Sequence, residues 1–214
     1  MLNKNPIAII PARIGSQRLK FKNIRLFKGR PLLYWTIKAA IESKTFSKIY
    51  ITTDSSMIKK EALKFKRKIS FLYRPKKLSG SKTKTSTLIK YLIKKNSLNE
   101  KYNNFFLLQP TSPLRTKKHI KDTWNIFNKY KLTNLLTVSE KKNKFQVNKE
   151  SNLIFKNNRK INNKKIKPLY QNGSIYIRSL NDFIKDPEFV TKNSCLYTMS
   201  KKASLDVDNE KDLK

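Results

Sequence analysis

The 214-residue sequence has one cysteine, one histidine, four glycines and only 14 acidic residues. The lone thiol, Cys195, excludes an internal disulfide framework and a cysteine metal cluster, and reads as a buried structural thiol. The lone histidine, His119, sits on a predicted helix beside lysines, which reads as a solvated surface group and offers no basis for a catalytic triad. With so little glycine, neither a Walker phosphate loop nor a dinucleotide fingerprint is present. No apolar run is long enough to cross a membrane, and Ile7 to Ile10 is too short for the apolar region of a secretory signal. A cytoplasmic address is the expectation. Acidic residues are so scarce that 49 Lys+Arg face 14 Asp+Glu, for a net charge of +35.

The apolar fraction of 38%, with 11% aromatic, is too high for wholesale disorder and is enough for one globular domain. A charge of this size suggests nucleic acid as a partner. The lysines, however, fall on every segment, and no motif of a nucleic-acid-binding module accompanies them. The charge therefore reads as a diffuse basic surface that attracts anionic ligands in general.

Ile7–Ile10 reads as a buried strand stopped by Pro11. Pro31 suits a first helical position, and Leu33, Ile37, Ala40 and Ile41 share one helical face. Ile49 to Thr53 is a second strand, followed by caps at 54–56 and a helix carrying Ile58, Ala62 and Phe65. Ile69 to Tyr73 is a third strand, with a loop over 79–87 and a helix near Leu88 to Lys95. Phe105 to Leu108 is a fourth, with a helix after Thr116 that aligns Ile120, Trp124 and Phe127. This alternation predicts an α/β domain with a mainly parallel sheet flanked by helices. Ligands of such sheets bind at the carboxyl ends of the strands, so the loops at 11–25, 53–56, 74–87 and 109–116 are where a site is expected. Residues 1–139 and 170–214 form the predicted core. Residues 140–169 are rich in Lys and Asn and thin in apolar residues (Phe145, Val147, Leu153, Ile154, Phe155, Ile161, Ile166), which suggests a hairpin-like insertion. Asn172-Gly173 reads as a hairpin turn between two extended segments.

Two constellations could carry chemistry. The loop from Pro11 to Asn23 follows the first strand and offers Gly15, the Ser16 hydroxyl, and the cations Arg13, Arg18 and Lys22. It is either an anion nest or a plain basic surface loop. Near the other end, Asp206, Asp208, Glu210 and Asp212 crowd into seven residues. In an extended Leu205–Asp208 the alternation sends Asp206 and Asp208 to the same side. Paired carboxylates need a divalent or cationic partner, and Mg²⁺ takes one or two carboxylates together with substrate phosphates. The competing reading is an Asp-rich turn capping a last helix at Asn209 to Leu213.

Ile7 to Arg13 with Gly15-Ser16 and Lys22-Asn23 opens an ordered series. Gly29 to Leu32, Thr52-Thr53-Asp54, Arg74-Pro75 and Gln109 to Arg115 follow, then Asn172 to Tyr176 and Ser204 to Asp208. In this order the chain resembles the acylneuraminate cytidylyltransferases and their relatives acting on legionaminic and pseudaminic acids. The resemblance covers nearly the whole chain and weakens over 140–168. It implies a glycosyltransferase-A-like nucleotidyltransferase fold with a small inserted arm at 140–169 that could serve dimerisation. It implies a reaction in which CTP and an acidic nine-carbon sugar give a CMP-sugar and pyrophosphate.

By the same resemblance Arg13 and Lys22 bind the triphosphate and act in catalysis with Asp208. Ala12, Gly15, Ser16, Asn23 and Thr85 join them around the nucleotide. Gln109, Arg115 and Asn172 are implied on the sugar side, and Asp206 and Asp208 as Mg²⁺ ligands. The chain departs from the family at Arg18-Leu19-Lys20, where relatives often carry Gly or Pro. It also has hydroxyls and lysines over 79–85 where an Asp is common, and Tyr170 where an Arg is common. The alternatives are an enzyme using an eight-carbon keto-deoxy-octonate, a nucleic-acid-binding protein, or an inactive relative.

Overall fold

The computed structural model describes residues 5–65, 68–140, 146–147, 153–156, 158–161 and 167–214. The Phe145 and Ile166 positions of the expected insertion lie outside them.

Strand β1 (Ile7–Pro11) pairs in parallel with β4 (Lys48–Thr53) on one side and β6 (Asn104–Leu108) on the other. β5 (Ser70–Tyr73) joins β4 in parallel at the edge. Beyond β6 lies the long β10 (Tyr170–Ser179), antiparallel both to β6 and to β7 (Asn134–Ser139). β11 (Cys195–Thr198) then runs parallel to β7 and to β8 (Ile154–Lys156), and β9 (Arg159–Ile161) closes the far edge against β8. The order is β5-β4-β1-β6-β10-β7-β11-β8-β9. β2 (Leu26–Phe27) and β3 (Arg30–Pro31) form a separate small ribbon.

The uninterrupted apolar run in β1 reflects burial on both faces, as parallel central strands require. Ala8 and Ile10 point to one side, where they meet Leu33 and Ile37 of α1 (Leu32–Ser43), Ile58 of α2 (Ser56–Leu63) and Ile120 and Phe127 of α5 (Lys117–Lys129). Ile7 and Ile9 point to the other, toward Leu88 and Leu92 of α3 (Thr85–Lys95) and Phe183 of α6 (Leu180–Lys185). A short α4 (Leu98–Lys101) precedes β6. Cys195 is buried in the first of these layers, and burial pushes its thiol up to about 12.

Four local expectations are corrected. α3 begins at Thr85 rather than near Leu88, because Ser86, Leu88 and Ile89 are all buried on its inner face. Asn172-Gly173 is not a hairpin turn: both residues remain within β10. The register against β7 shifts between Gln171 and Tyr176, and Gly173 takes φ +69°. Such a bulge uses the left-handed freedom of glycine without reversing the chain. His119 is not a solvated surface group. It is half-buried, and its Nδ1 accepts from the Thr116 backbone N–H at 3.1 Å in the capping box that starts α5. Leu205 to Asp208 carries no strand pairing, though its side chains do alternate. Within 140–169, Val147, Ile154 and Phe155 are buried, and β8 is hydrogen-bonded into the main sheet.

Candidate active site

The loop after β1 is tied down at several points. The Ala12 N–H donates to Thr52 O of β4 at 2.9 Å, and the Ile14 N–H donates to Asp54 Oδ1 at 3.0 Å. Asn23 Nδ2 donates to Arg13 O at 2.7 Å, and the Arg13 guanidinium reaches Ser79 O at 3.2 Å. Phe21 takes a left-handed conformation (φ 57°) that leads into a short 3₁₀ turn, Lys22–Ile24, in which Lys22 and Asn23 are buried. Asp54, the acidic member of the Thr-Thr-Asp motif, therefore anchors the loop, a role that the motif alone does not reveal.

Leu19 in this loop packs against Val207, with Leu205 and Leu213 alongside. The Val207 N–H also donates to Thr111 O at 2.8 Å. The apolar members of Leu-Asp-Val-Asp thus point into a small cluster, and the intervening Asp206 and Asp208 face the opposite way. That face is a cavity of about 370 Å³ at the carboxyl ends of β1, β5 and β6. Arg13, Ser16, Lys22 and Asn23 line it from the loop, Thr85 from the start of α3, Gln109 from the end of β6, and Asp206 and Asp208 from the tail. The loop and the tail grip each other directly: Lys22 Nζ donates to Asp208 Oδ1 at 2.9 Å, and Arg18 Nη1 lies 2.8 Å from Asp208 Oδ2. The tail is stiffened by Asp212, whose Oδ2 accepts from the Asp208 and Asn209 N–H groups, each at 2.9 Å. The last turn foreseen at Asn209 to Leu213 is therefore present, as a capped 3₁₀ helix (Glu210–Leu213), alongside the paired carboxylates.

Burial raises the pKa of Asp206, a hydrogen bond from Thr111 opposes it, Asp208 adds to it, and Lys22 and Arg18 counter it. Arg74, which also lines the cavity, is buried. Burial lowers its pKa against the pull of Asp54, and Arg13 adds to the lowering. One Nη of Arg74 donates to Leu78 O at 2.9 Å, and its Nε has no partner among the described residues. Arg74, Ser81, Thr83 and Thr111 line the cavity beyond the site residues that the resemblance implies; Arg74 comes from the Arg74-Pro75 motif, and Ser81 and Thr83 from the loop that departs from relatives.

Two expected contacts take other positions. Arg115 is buried, and its guanidinium is used inside the scaffold: it donates to Gln109 O at 3.2 Å, to Ser174 O at 2.6 Å and to Thr36 Oγ1 at 2.7 Å. Burial pushes its pKa down to about 9. Asn172 is buried too, accepting from Thr137 Oγ1 at 2.7 Å and donating to Ser204 Oγ at 2.9 Å. Neither lines the cavity; both brace the walls behind it. Of the expected loop contacts, Ala12 is buried in the backbone ladder and Gly15 is exposed with open space around it.

Paired aspartates beside clustered cations form a donor set that fits Mg²⁺ together with phosphate oxygens. Anchored at the carboxyl edge of a mainly parallel sheet, the arrangement lies where such sheets hold their ligands, and its charges suit an anionic one.

A family model described as Cytidylyltransferase matches residues 7–212. The chain is 34% identical over 213 residues to an N-acylneuraminate cytidylyltransferase of Escherichia coli O18:K1:H7, covering 96% of this chain and 50% of that protein. It is 31% identical over 216 residues to a CMP-N,N'-diacetyllegionaminic acid synthase of Legionella pneumophila, covering 94% and 90% respectively. Among solved structures, a CMP:2-keto-3-deoxy-manno-octonic acid synthetase complexed with CTP superposes with a TM-score of 0.67 at 15% identity, covering 96% of this chain and 94% of that one. The 4-diphosphocytidyl-2C-methyl-D-erythritol synthase of Anaerococcus prevotii gives 0.66 at 13% identity, covering 98% and 93%. The chain belongs to the cytidylyltransferase family. It spans about half the length of the curated N-acylneuraminate relatives it matches. No helix among the described residues is long and apolar enough to cross a membrane.

Proposed function

We propose that the chain joins CTP to an acidic nine-carbon sugar of the N-acylneuraminate type, giving the CMP-sugar and pyrophosphate. The observation that carries the reading is the single cavity in which Arg13 and Lys22 meet Asp206 and Asp208. The names of the relatives, which include sialic, legionaminic and pseudaminic acid enzymes, support the sugar class.

In this reading Arg13, Lys22 and Arg74 hold the triphosphate, and the buried setting strengthens each contact relative to open water. Ser16, Asn23 and Thr85 complete the nucleotide side, and Gln109 faces the sugar. Asp206 and Asp208 would hold Mg²⁺, which supplies charge neutralisation at the phosphates when bound. The anomeric hydroxyl oxygen of the sugar forms a bond to the α-phosphorus of CTP as the bond from that phosphorus to the bridging oxygen breaks; pyrophosphate leaves with the electron pair, and the hydroxyl proton passes to solvent water. No covalent enzyme intermediate is needed, so the side chains act by positioning and charge balance. Arg115 and Asn172 keep the Gln109 wall and the β10 bulge in place. Both substrates are anions, which suits the basic surface. In this reading the reaction takes place in the cytoplasm, and residues 140–169 would provide the contact of a homodimer.

The test supplies CTP, Mg²⁺ and a panel of sialic, legionaminic, pseudaminic and eight-carbon keto-deoxy acids, and measures pyrophosphate release. Turnover with a nine-carbon acid is expected. Turnover with the eight-carbon acid alone would move the assignment to the other sugar class, and no release with any sugar would overturn the enzymatic reading.

A further inference from the structure

Both carboxylate oxygens of Asp208 are engaged, Oδ1 by Lys22 at 2.9 Å and Oδ2 by Arg18 at 2.8 Å. The two cations differ in their freedom to leave. The Lys22 side chain is 11% exposed, and its backbone is locked in the turn after Phe21. The Arg18 side chain is 71% exposed, at the rim of the same cavity. Asp206 stands close enough to Asp208 for the two charges to oppose each other. Like-charged carboxylates in a shielded place need counter-charge, and here two cations face two carboxylates.

We propose that Arg18 is a displaceable stand-in for the divalent cation. It neutralises Asp208 in the free cleft, yields that carboxylate oxygen when metal binds, and turns to the triphosphate entering the same cavity. The inference rests on the reading of Asp206 and Asp208 as the metal carboxylates. Lys22 is too enclosed for the part. Arg18 has both the exposure to move and, as a guanidinium, the planar fork that accepts carboxylate and phosphate oxygens alike. The exchange makes and breaks only ion pairs and hydrogen bonds.

The consequence is a pair of opposite effects from one substitution. Without nucleotide, Arg18→Ala removes a competitor from Asp208, and Mn²⁺ should bind about two- to fivefold more tightly, the scale of one exposed ion pair. With saturating metal, the same variant lacks a phosphate contact, and CTP should bind about three- to tenfold more weakly. Lys20→Ala, which removes an exposed charge from the same loop, controls for the general basic field.

The experiment titrates the intact chain with Mn²⁺ alone, read by the electron paramagnetic resonance of free Mn²⁺. It then titrates CTP by calorimetry at saturating Mg²⁺, in the wild type and both variants. Tighter Mn²⁺ and weaker CTP in Arg18→Ala, with smaller changes in Lys20→Ala, are expected. Equal Mn²⁺ affinity in Arg18→Ala and the wild type overturns the stand-in role, as does an equal gain in Lys20→Ala. Unchanged CTP affinity overturns the transfer to phosphate. If the wild type binds no Mn²⁺, the inference falls together with the metal reading of the two aspartates. If Mn²⁺ binds and only the Arg18 effects are missing, the metal reading stands and this inference alone is lost.

Discussion

Asp208→Asn separates chemistry from scaffolding at the centre of the cleft. The amide keeps the shape of the carboxylate, and its oxygen still accepts from Lys22 Nζ, so a hydrogen bond survives while the charge disappears. The ion pair with Arg18 is exposed on one side and screened by water, and losing it costs about 0.5 kcal/mol. The more enclosed Lys22 pair adds about 1 kcal/mol. The total of about 1–2 kcal/mol corresponds to a Tm lowered by about 2–8 °C in a chain of this size. Catalysis should suffer far more. On the proposed reading of Asp208 as a metal carboxylate, it supplies about 3–4 kcal/mol of transition-state charge balance, and losing its charge lowers kcat/KM by about 10²–10³. Pyrophosphate release with CTP, Mg²⁺ and the preferred sugar measures the second effect, and a thermal melt monitored by circular dichroism measures the first. An Asn variant within tenfold of wild-type kcat/KM would refute the reasoning. So would a collapse of the fold, because Asp208 would then be a structural residue.

Val207→Ala keeps both aspartates but empties their anchor beside Leu19; denaturant unfolding should show a loss of about 1.5–2.5 kcal/mol. The Mg²⁺ concentration needed for half-maximal turnover should rise as the tail loosens. At Gly173 the φ of +69° disfavours a side chain, while a Cβ would meet Gln109 Oε1 at an ordinary 3.5 Å. Gly173→Ala should therefore cost about 1 kcal/mol in melts and leave turnover near wild type. Burial lowers the pKa of His119, with Lys118 and Arg115 adding to the effect and Asp122 opposing it. A histidine with a lowered folded value contributes stability that is present above its ordinary 6.5 and lost as pH falls through the folded value. NMR titration of this single histidine should give a midpoint below 6.5 with concurrent weakening of the α5 cap; a midpoint at or above 6.5 would contradict the buried capping role.

Much of the architecture was legible because local patterns and global packing agree. The Ile7–Ile10 run, the strand at Phe105 to Leu108 and the periodic faces of α1 and α5 each point to one element. Their alternation implied a sheet whose carboxyl edge holds the ligand. Leu205 to Asp208 was legible for the same reason, since extended backbone sends alternate residues to opposite sides whether or not it pairs as a strand. The Lys/Asn-rich stretch gave a weaker signal, because its few apolar residues find partners far along the chain: Ile154 and Phe155 sit in β8 beside β11, and the Phe155 ring meets Tyr130.

Inward and outward roles were harder to assign for polar residues, because both readings use the same chemistry. Arg115 has the guanidinium of a substrate clamp, yet it is enclosed among Thr36, Gln109 and Ser174 from three separate elements. Asn172-Gly173 has the composition of a turn, yet pairing with β7 at Tyr170 and Gln171 and again from Tyr176 carries the strand through it as a bulge. Arg18 belongs to a loop that its composition leaves as either an anion nest or a plain basic surface, and Arg74 belongs to a motif with no role attached; the fold brings both to the same cavity. The order of strands and helices along the chain, and the gathering of cations into one loop and carboxylates into the tail, follow from the chain itself, because hydrophobic periodicity and residue chemistry are local properties. Which cation meets which carboxylate, and which arginine is brace rather than ligand, was decided only by the tertiary structure, because those pairings join residues up to 190 positions apart (Arg18 with Asp208), and only closure of the fold brings them within reach.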